Sequence, residues 1–281
     1  MTSSKLSKAM TISGSDSGGG AGIQTDLKTF NALGVYGTSV VTAVTAQNTI
    51  EIAAIAEVPD EVVIAQIDTV AEDVGAHAVK TGMLVNRSIV QNVADRLEAW
   101  GISFLVVDPV MVSQSGATLL RHDAVTALKS ELIPKATIVT PSVSEARVLA
   151  GREIDTFEDV REAARMIHAL GPQIVVIKGG HFPGPAIDLV FDGSEFLTLD
   201  GDTVDAPDVY GSGCTFSAAI TAFLAQGADG IEAIQLAKLY VDAALETSFS
   251  IGSGRRLVNH PVDLPHALRF NPHAPVTDAV S

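Results

Sequence analysis

Phe104-Leu105-Val106-Val107-Asp108-Pro109-Val110-Met111 sets four apolar residues in a row before an acid. A strand that is apolar on both faces is covered on both, as in a parallel sheet held between helices. Similar short runs occur at residues 10–12, 40–44, 78–80, 138–139 and 174–177. Longer amphipathic stretches alternate with them, at residues 24–33, 60–74, 88–100, 123–132 and 158–170, followed by 214–226 and 231–249. This alternation predicts an α/β fold of parallel strands joined by crossover helices. From Asp188 to Asp205 the period shortens around an Asp192-Gly193 turn signal, which predicts an antiparallel hairpin. No linker or break in composition interrupts the chain, so residues 1–281 read as one domain with tails at 1–8 and about 255–281.

The chain has 281 residues, 47% of them hydrophobic and 18% charged, enough to bury a sizeable core. A formal charge of -15 with no basic stripe argues against a nucleic-acid or anionic-membrane partner. It also means that any bound phosphate needs local donors: single lysines, glycine amides and Mg²⁺. The only cysteine cannot form an internal disulfide, which fits a reducing cytoplasm. The apolar stretch after Lys5 and Lys8 is too short for a signal peptide, and no run approaches the roughly 20 residues of a membrane span. A soluble, cytoplasmic protein is expected.

Chemistry gathers where strands end. In Tyr210-Gly211-Ser212-Gly213-Cys214-Thr215-Phe216, two glycines open directly into an apolar helix. Amides at a helix start attract anions, and glycines let them approach a phosphate closely. The same field favours thiolate over thiol, making Cys214 a candidate base or nucleophile. The first loop, Gly14-Ser15-Asp16-Ser17-Gly18-Gly19-Gly20-Ala21-Gly22, matches neither the dinucleotide fingerprint nor the P-loop. It is either a pocket wall against a small planar ligand or a plain strand-to-helix turn. On the helix that follows, Asp26 can accept hydrogen bonds from ligand amino or hydroxyl groups.

Gln47 follows another strand and can recognise a heterocycle edge or cap a turn. Met83, in Lys80-Thr81-Gly82-Met83, lies flat on a ring or fills the core. Asp108 and Glu145 follow successive strands and can organise Mg²⁺ through water, unless they only form a turn and a helix-end charge. Lys178, before Gly179 and Gly180, is placed to neutralise a nucleotide phosphate, or else snorkels on the surface. His260, His266 and His273 show no metal-ligand spacing and read as surface groups.

Residues from Thr11 to about Ala244 resemble the ribokinase-like superfamily, and most of all its bacterial hydroxymethylpyrimidine/phosphomethylpyrimidine kinases. The specific stretches are Ala21-Gly22-Ile23-Gln24-Thr25-Asp26-Leu27-Lys28-Thr29-Phe30, Asp108-Pro109-Val110-Met111 and Gly213-Cys214-Thr215-Phe216-Ser217-Ala218-Ala219. The resemblance implies a three-layer α/β/α fold with a central, mostly parallel sheet and a homodimeric enzyme of thiamine biosynthesis. Such enzymes phosphorylate 4-amino-5-hydroxymethyl-2-methylpyrimidine with MgATP, and then its monophosphate. Gly14, Asp26, Gln47, Met83 and Val110 would line the pyrimidine pocket. Lys178, Ser142 and Glu145 would bind nucleotide, with Asp108 and Glu145 arranging Mg²⁺. Gly211, Ser212, Gly213 and Cys214 would form the catalytic anion hole. Departures occur at Ser142, Tyr210, Ser212 and Gln114, where the family often has asparagine, histidine, threonine and lysine. The rival readings are a pyridoxine/pyridoxal kinase and a non-catalytic ligand-binding relative.

Overall fold

The computed structural model describes residues 6–113, 118–179, 187–200 and 209–262. Gln114, Gly180, His181, His266, His273 and the far end of the expected hairpin lie outside them. The first half runs β1 (Lys8–Asp16), α1 (Gly22–Ala32), β2 (Tyr36–Gln47), β3 (Ile52–Glu57), α2 (Asp60–Asp73), β4 (Ala78–Thr81), α3 (Arg87–Ala99) and β5 (Leu105–Val107). It continues α4 (His122–Ala127), β6 (Ile138–Val139), α5 (Val143–Ala150), α6 (Phe157–His168), β7 (Ile174–Ile177), β8 (Ile187–Phe191) and β9 (Phe196–Asp200). Last come β10 (Val209–Tyr210), α7 (Ser212–Gln226), α8 (Gly230–Glu246) and β11 (Arg256–Leu257).

Among the described residues the main sheet has nine strands in the order β3-β2-β1-β4-β5-β6-β7-β8-β9. The strands from β2 through β7 in that order are parallel, and antiparallel pairs close both ends. The expected hairpin is β8 and β9, turning at Asp192–Gly193. Two helical layers cover the sheet because its strands are apolar on alternating faces. Met10, Ile12, Leu105, Val107, Val139, Val175 and Ile177 pack with α2 to α6. Ala9, Ala78, Val106, Ile138, Ile174 and Val176 pack with α1, α7 and α8. In α7 every residue from Thr215 to Ala225 is buried, so this helix is enclosed on all sides.

The structure adds elements that apolar patterning did not predict. β3 is exposed along nearly its whole length and shows no inward face to read. α5 is only eight residues long, and a capping box of Ser142 and Glu145 starts it. The expected helix over 123–132 opens after Ala127 into a wider π turn, Leu128–Leu132. The boundary expected near residue 255 falls inside packed structure: β11 pairs with β10, and Leu257 and Val258 are buried.

Sheet order places a topological switch between β1 and β4, whose following connections leave toward opposite edges. Open α/β sheets form their ligand crevice at the strand C-termini beside such a point.

Candidate active site

Side chains alternate along a strand. Thr11, Lys80, Asp108, Thr140 and Lys178 therefore share the face of Ala9, Ala78, Val106, Ile138 and Val176, toward α1 and α7. Strand register sets Thr11 beside Lys80. Asp26 comes down on them from α1, with Lys80 Nζ 2.5 Å from its Oδ1 and Thr11 Oγ1 donating to its Oδ2 at 2.6 Å. Neither Lys80 nor Asp26 has exposed side chain. Burial raises the Asp26 pKa against the pull of Lys80. Burial would lower that of Lys80, but Asp26 outweighs it and the ammonium is held above the usual lysine value. Both Asp26 oxygens thus already hold protein donors beneath the site.

A second ion pair stands nearer the opening. Asp108 Oδ1 accepts from Lys178 Nζ at 2.9 Å and from Thr140 Oγ1 at 3.4 Å, while Oδ2 accepts from Ser217 Oγ of α7 at 3.0 Å. The Lys178 side chain keeps 19% of its surface exposed, against 2% for Asp108. Glu145 belongs to this cluster. Its Oε2 accepts from Ser142 N at 2.7 Å and Ser142 Oγ at 2.9 Å. Burial raises the Glu145 pKa, with Lys178 opposing and Asp108 adding to the rise. Ser142 is thus the cap of α5, and its hydroxyl is held by Glu145.

The start of α7 completes the cluster. Gly211 has φ +90, a left-handed value that favours glycine, and a Cβ there would collide with the Gly20 carbonyl oxygen. No side chain caps the helix, so the amide dipoles of Ser212, Gly213 and Cys214 face outward. A Cβ on Gly213 would lie 3.2 Å from Lys178 Nζ, which puts the ammonium at the helix mouth. Cys214 is half-buried. Burial pushes its thiol up to about 11, Lys80 opposes that, and Asp108 and Asp26 reinforce it. Desolvation and the two acids thus work against the expected thiolate, while Lys80 works for it.

The remaining expected residues stand across the switch point. A Cβ on Gly14 would lie 3.0 Å from Met83 Sδ, so the ends of β1 and β4 touch there. Ser13 Oγ accepts from Met83 N at 3.1 Å, and Thr42 Oγ1 donates to Met83 O at 2.6 Å. Gln47, at the end of β2, is tied to the first loop through Ser17, which donates to its carbonyl at 2.8 Å. Thr45 holds the Gln47 side-chain oxygen at 2.9 Å. Val110 is half-buried just beyond Asp108.

Several contacts were invisible in the sequence. Ser217 is an ordinary helical serine until the fold brings it to Asp108. His260, expected at the surface, is 7% exposed with Nε2 3.4 Å from Thr215 Oγ1. A cavity of about 410 Å³ lies behind the first loop, between Lys28 and residues 257–261, and includes none of the expected site residues.

A family model described as phosphomethylpyrimidine kinase matches residues 16–259. The chain belongs to this family. The hydroxymethylpyrimidine/phosphomethylpyrimidine kinase of Rhizobium meliloti is 49% identical over 257 residues, 90% of this chain and 96% of that protein. The phosphomethylpyrimidine kinase of Clostridium difficile 630 superposes with a TM-score of 0.76 at 41% identity, covering 84% of this chain and 98% of that one. The pyridoxal kinase of Staphylococcus aureus, in complex with AMP-PCP and pyridoxal, gives 0.85 at 36% identity over 92% and 94% of the two chains. The expected ribokinase-like architecture is the one found, and family membership makes the chain a phosphotransferase.

Proposed function

We propose that this kinase phosphorylates 4-amino-5-hydroxymethyl-2-methylpyrimidine and then its monophosphate, with ATP as donor, in thiamine biosynthesis. The observation that carries this is the meeting of Lys178, Asp108 and the uncapped start of α7 beside Cys214. Positioning and charge stabilisation do most of the work in phosphoryl transfer, and this cluster supplies both. The amides of Ser212 and Gly213 receive the transferring phosphoryl oxygens. Lys178 neutralises nucleotide phosphate at the same point. Gly14, Met83, Gln47 and Val110 wall the acceptor. Asp26 acts from beneath, holding Lys80.

Asp108 and Glu145 would hold Mg²⁺; their oxygen donors suit it. Among the described residues no three acidic, histidine or cysteine groups converge; the two acids would hold the ion together with water and phosphate, and it would supply neutralisation of phosphate charge.

Cys214 stands beside the acceptor oxygen, the hydroxymethyl oxygen in the first step and a phosphate oxygen in the second. If it orients that oxygen, Cys214→Ala lowers kcat in both steps. If it is the base, the fall is roughly two orders of magnitude and confined to the first step, because the second acceptor has no proton to remove.

The reading is tested by a coupled assay with the pyrimidine alcohol, its monophosphate and pyridoxal at equal concentration. Turnover of the first two supports it, and preferential turnover of pyridoxal overturns it. Pyridoxal kinase is the second reading, favoured by the 0.85 TM-score of the pyridoxal-bound neighbour. No helix among the described residues is long and apolar enough to cross a membrane; a cytoplasmic location is part of the proposal. A homodimer, which the family resemblance implies, is part of the proposal. Sedimentation at the monomer mass would remove it.

A further inference from the structure

Asp16 ends β1 with 3% of its surface exposed, and its carboxylate gathers the first glycine loop around itself. Oδ1 accepts from Gly18 N at 2.8 Å, and Oδ2 accepts from Gly20 N and Ala21 N, each at 2.9 Å. Charge-assisted bonds of this kind are stronger than neutral ones and fix the loop's turn. A further donor arrives from the far end of the chain: the Tyr210 hydroxyl reaches Oδ2 at 3.2 Å. Burial, and then the Asp16 charge, hold the Tyr210 phenol well above its ordinary pKa, so it stays a neutral donor.

The two loops are also in steric register. A Cβ on Gly20 would collide with the Tyr210 ring, and one on Gly211 would collide with the Gly20 carbonyl oxygen. Tyr210 directly precedes Gly211, so whatever holds Tyr210 sets where the start of α7 sits. Among the described residues its strand pairs only with the two-residue β11. Backbone pairing this short leaves the side chain as the main tie to the loop.

We propose that Tyr210, acting through Asp16, is a positioning residue that holds the first glycine loop in register with the start of α7. The inference rests on the phosphotransfer reading, in which the loop walls the acceptor and the helix start receives the phosphoryl group. A small relative shift of two such surfaces lengthens the attack distance without removing any binding group.

Tyr210→Phe removes the hydroxyl and keeps the ring on Gly20. Its kcat for the pyrimidine alcohol should fall about tenfold, while KM for ATP stays within about twofold. Amide hydrogen exchange should accelerate together in residues 18–21 and 212–214. Asp16→Asn should also lower kcat, and the double variant should lose no more than the worse single one, because both cut the same tie. Unchanged kcat, additive losses, or faster exchange in one segment only would overturn the proposal. If the unmodified protein transfers phosphate to none of the three acceptors, the phosphotransfer reading fails. The paired exchange of the two segments then still decides whether the tie exists.

Discussion

Two lysine–carboxylate pairs stand on the same face of the sheet and differ mainly in their access to water. Lys80 and Asp26 lie 2.5 Å apart with no exposed surface, and Thr11 takes the second carboxylate oxygen. Lys178 and Asp108 lie 2.9 Å apart, but 19% of the lysine side chain is open and reaches the start of α7. The first pair is closed under α1, so its charges act on neighbours only through space. The second pair can exchange protein partners for phosphate oxygens. Residue type does not separate scaffold from site here; the covering helix does.

That contrast can be broken by substitution. Lys80→Met leaves a buried carboxylate without its counter-charge and should cost about 3–5 kcal/mol in chemical unfolding. Adding Asp26→Asn should restore more than half of that. Asp108→Asn should act the other way round, with roughly a hundredfold or greater fall in kcat and a smaller stability loss than Lys80→Met. If the two variants exchanged effects, the division between sealed and open pairs would be wrong.

A third measurement concerns a buried group that forms no ion pair among the described residues. Burial, with Lys28 nearby, depresses the His260 pKa from 6.5 to about 4. The unfolded chain therefore binds a proton that the folded one refuses, and stability falls as pH drops from about 6.5 toward 4. The loss amounts to about 3 kcal/mol below that range. His260→Gln should flatten this acid limb in unfolding measured at stepped pH, and an unchanged limb would show that His260 is hydrated.

The smallest effect sharpens the view of the region between the pairs. A thiol raised from 9.0 to about 11 exposes little thiolate. Alkylation of Cys214 at pH 7 should be about a hundredfold slower than that of an ordinary cysteine and keep rising through pH 9. A plateau near neutrality, read by mass spectrometry of the labelled peptide, would mean that Lys80 dominates its surroundings.

Much of this architecture was readable from residue order. Buried strands such as 105–107 are apolar on both faces, which implies two covering layers and hence acids and lysines at their ends. The glycines before Cys214 marked the helix start. α5 escaped notice because two helical turns carry too little periodicity, although Ser142 and Glu145 at capping-box spacing announced it. β3 escaped because an edge strand exposed on both faces has no apolar alternation to detect.

Local sequence thus settled strand identity, the helix start and the chemistry available at each strand end, because these depend on neighbours a few positions away. Burial of Asp26, desolvation of Cys214, and the contacts of Ser217, His260 and Tyr210 depend on segments up to 194 residues apart. Desolvation is a property of everything packed around a group, and no linear pattern carries it until the chain has folded.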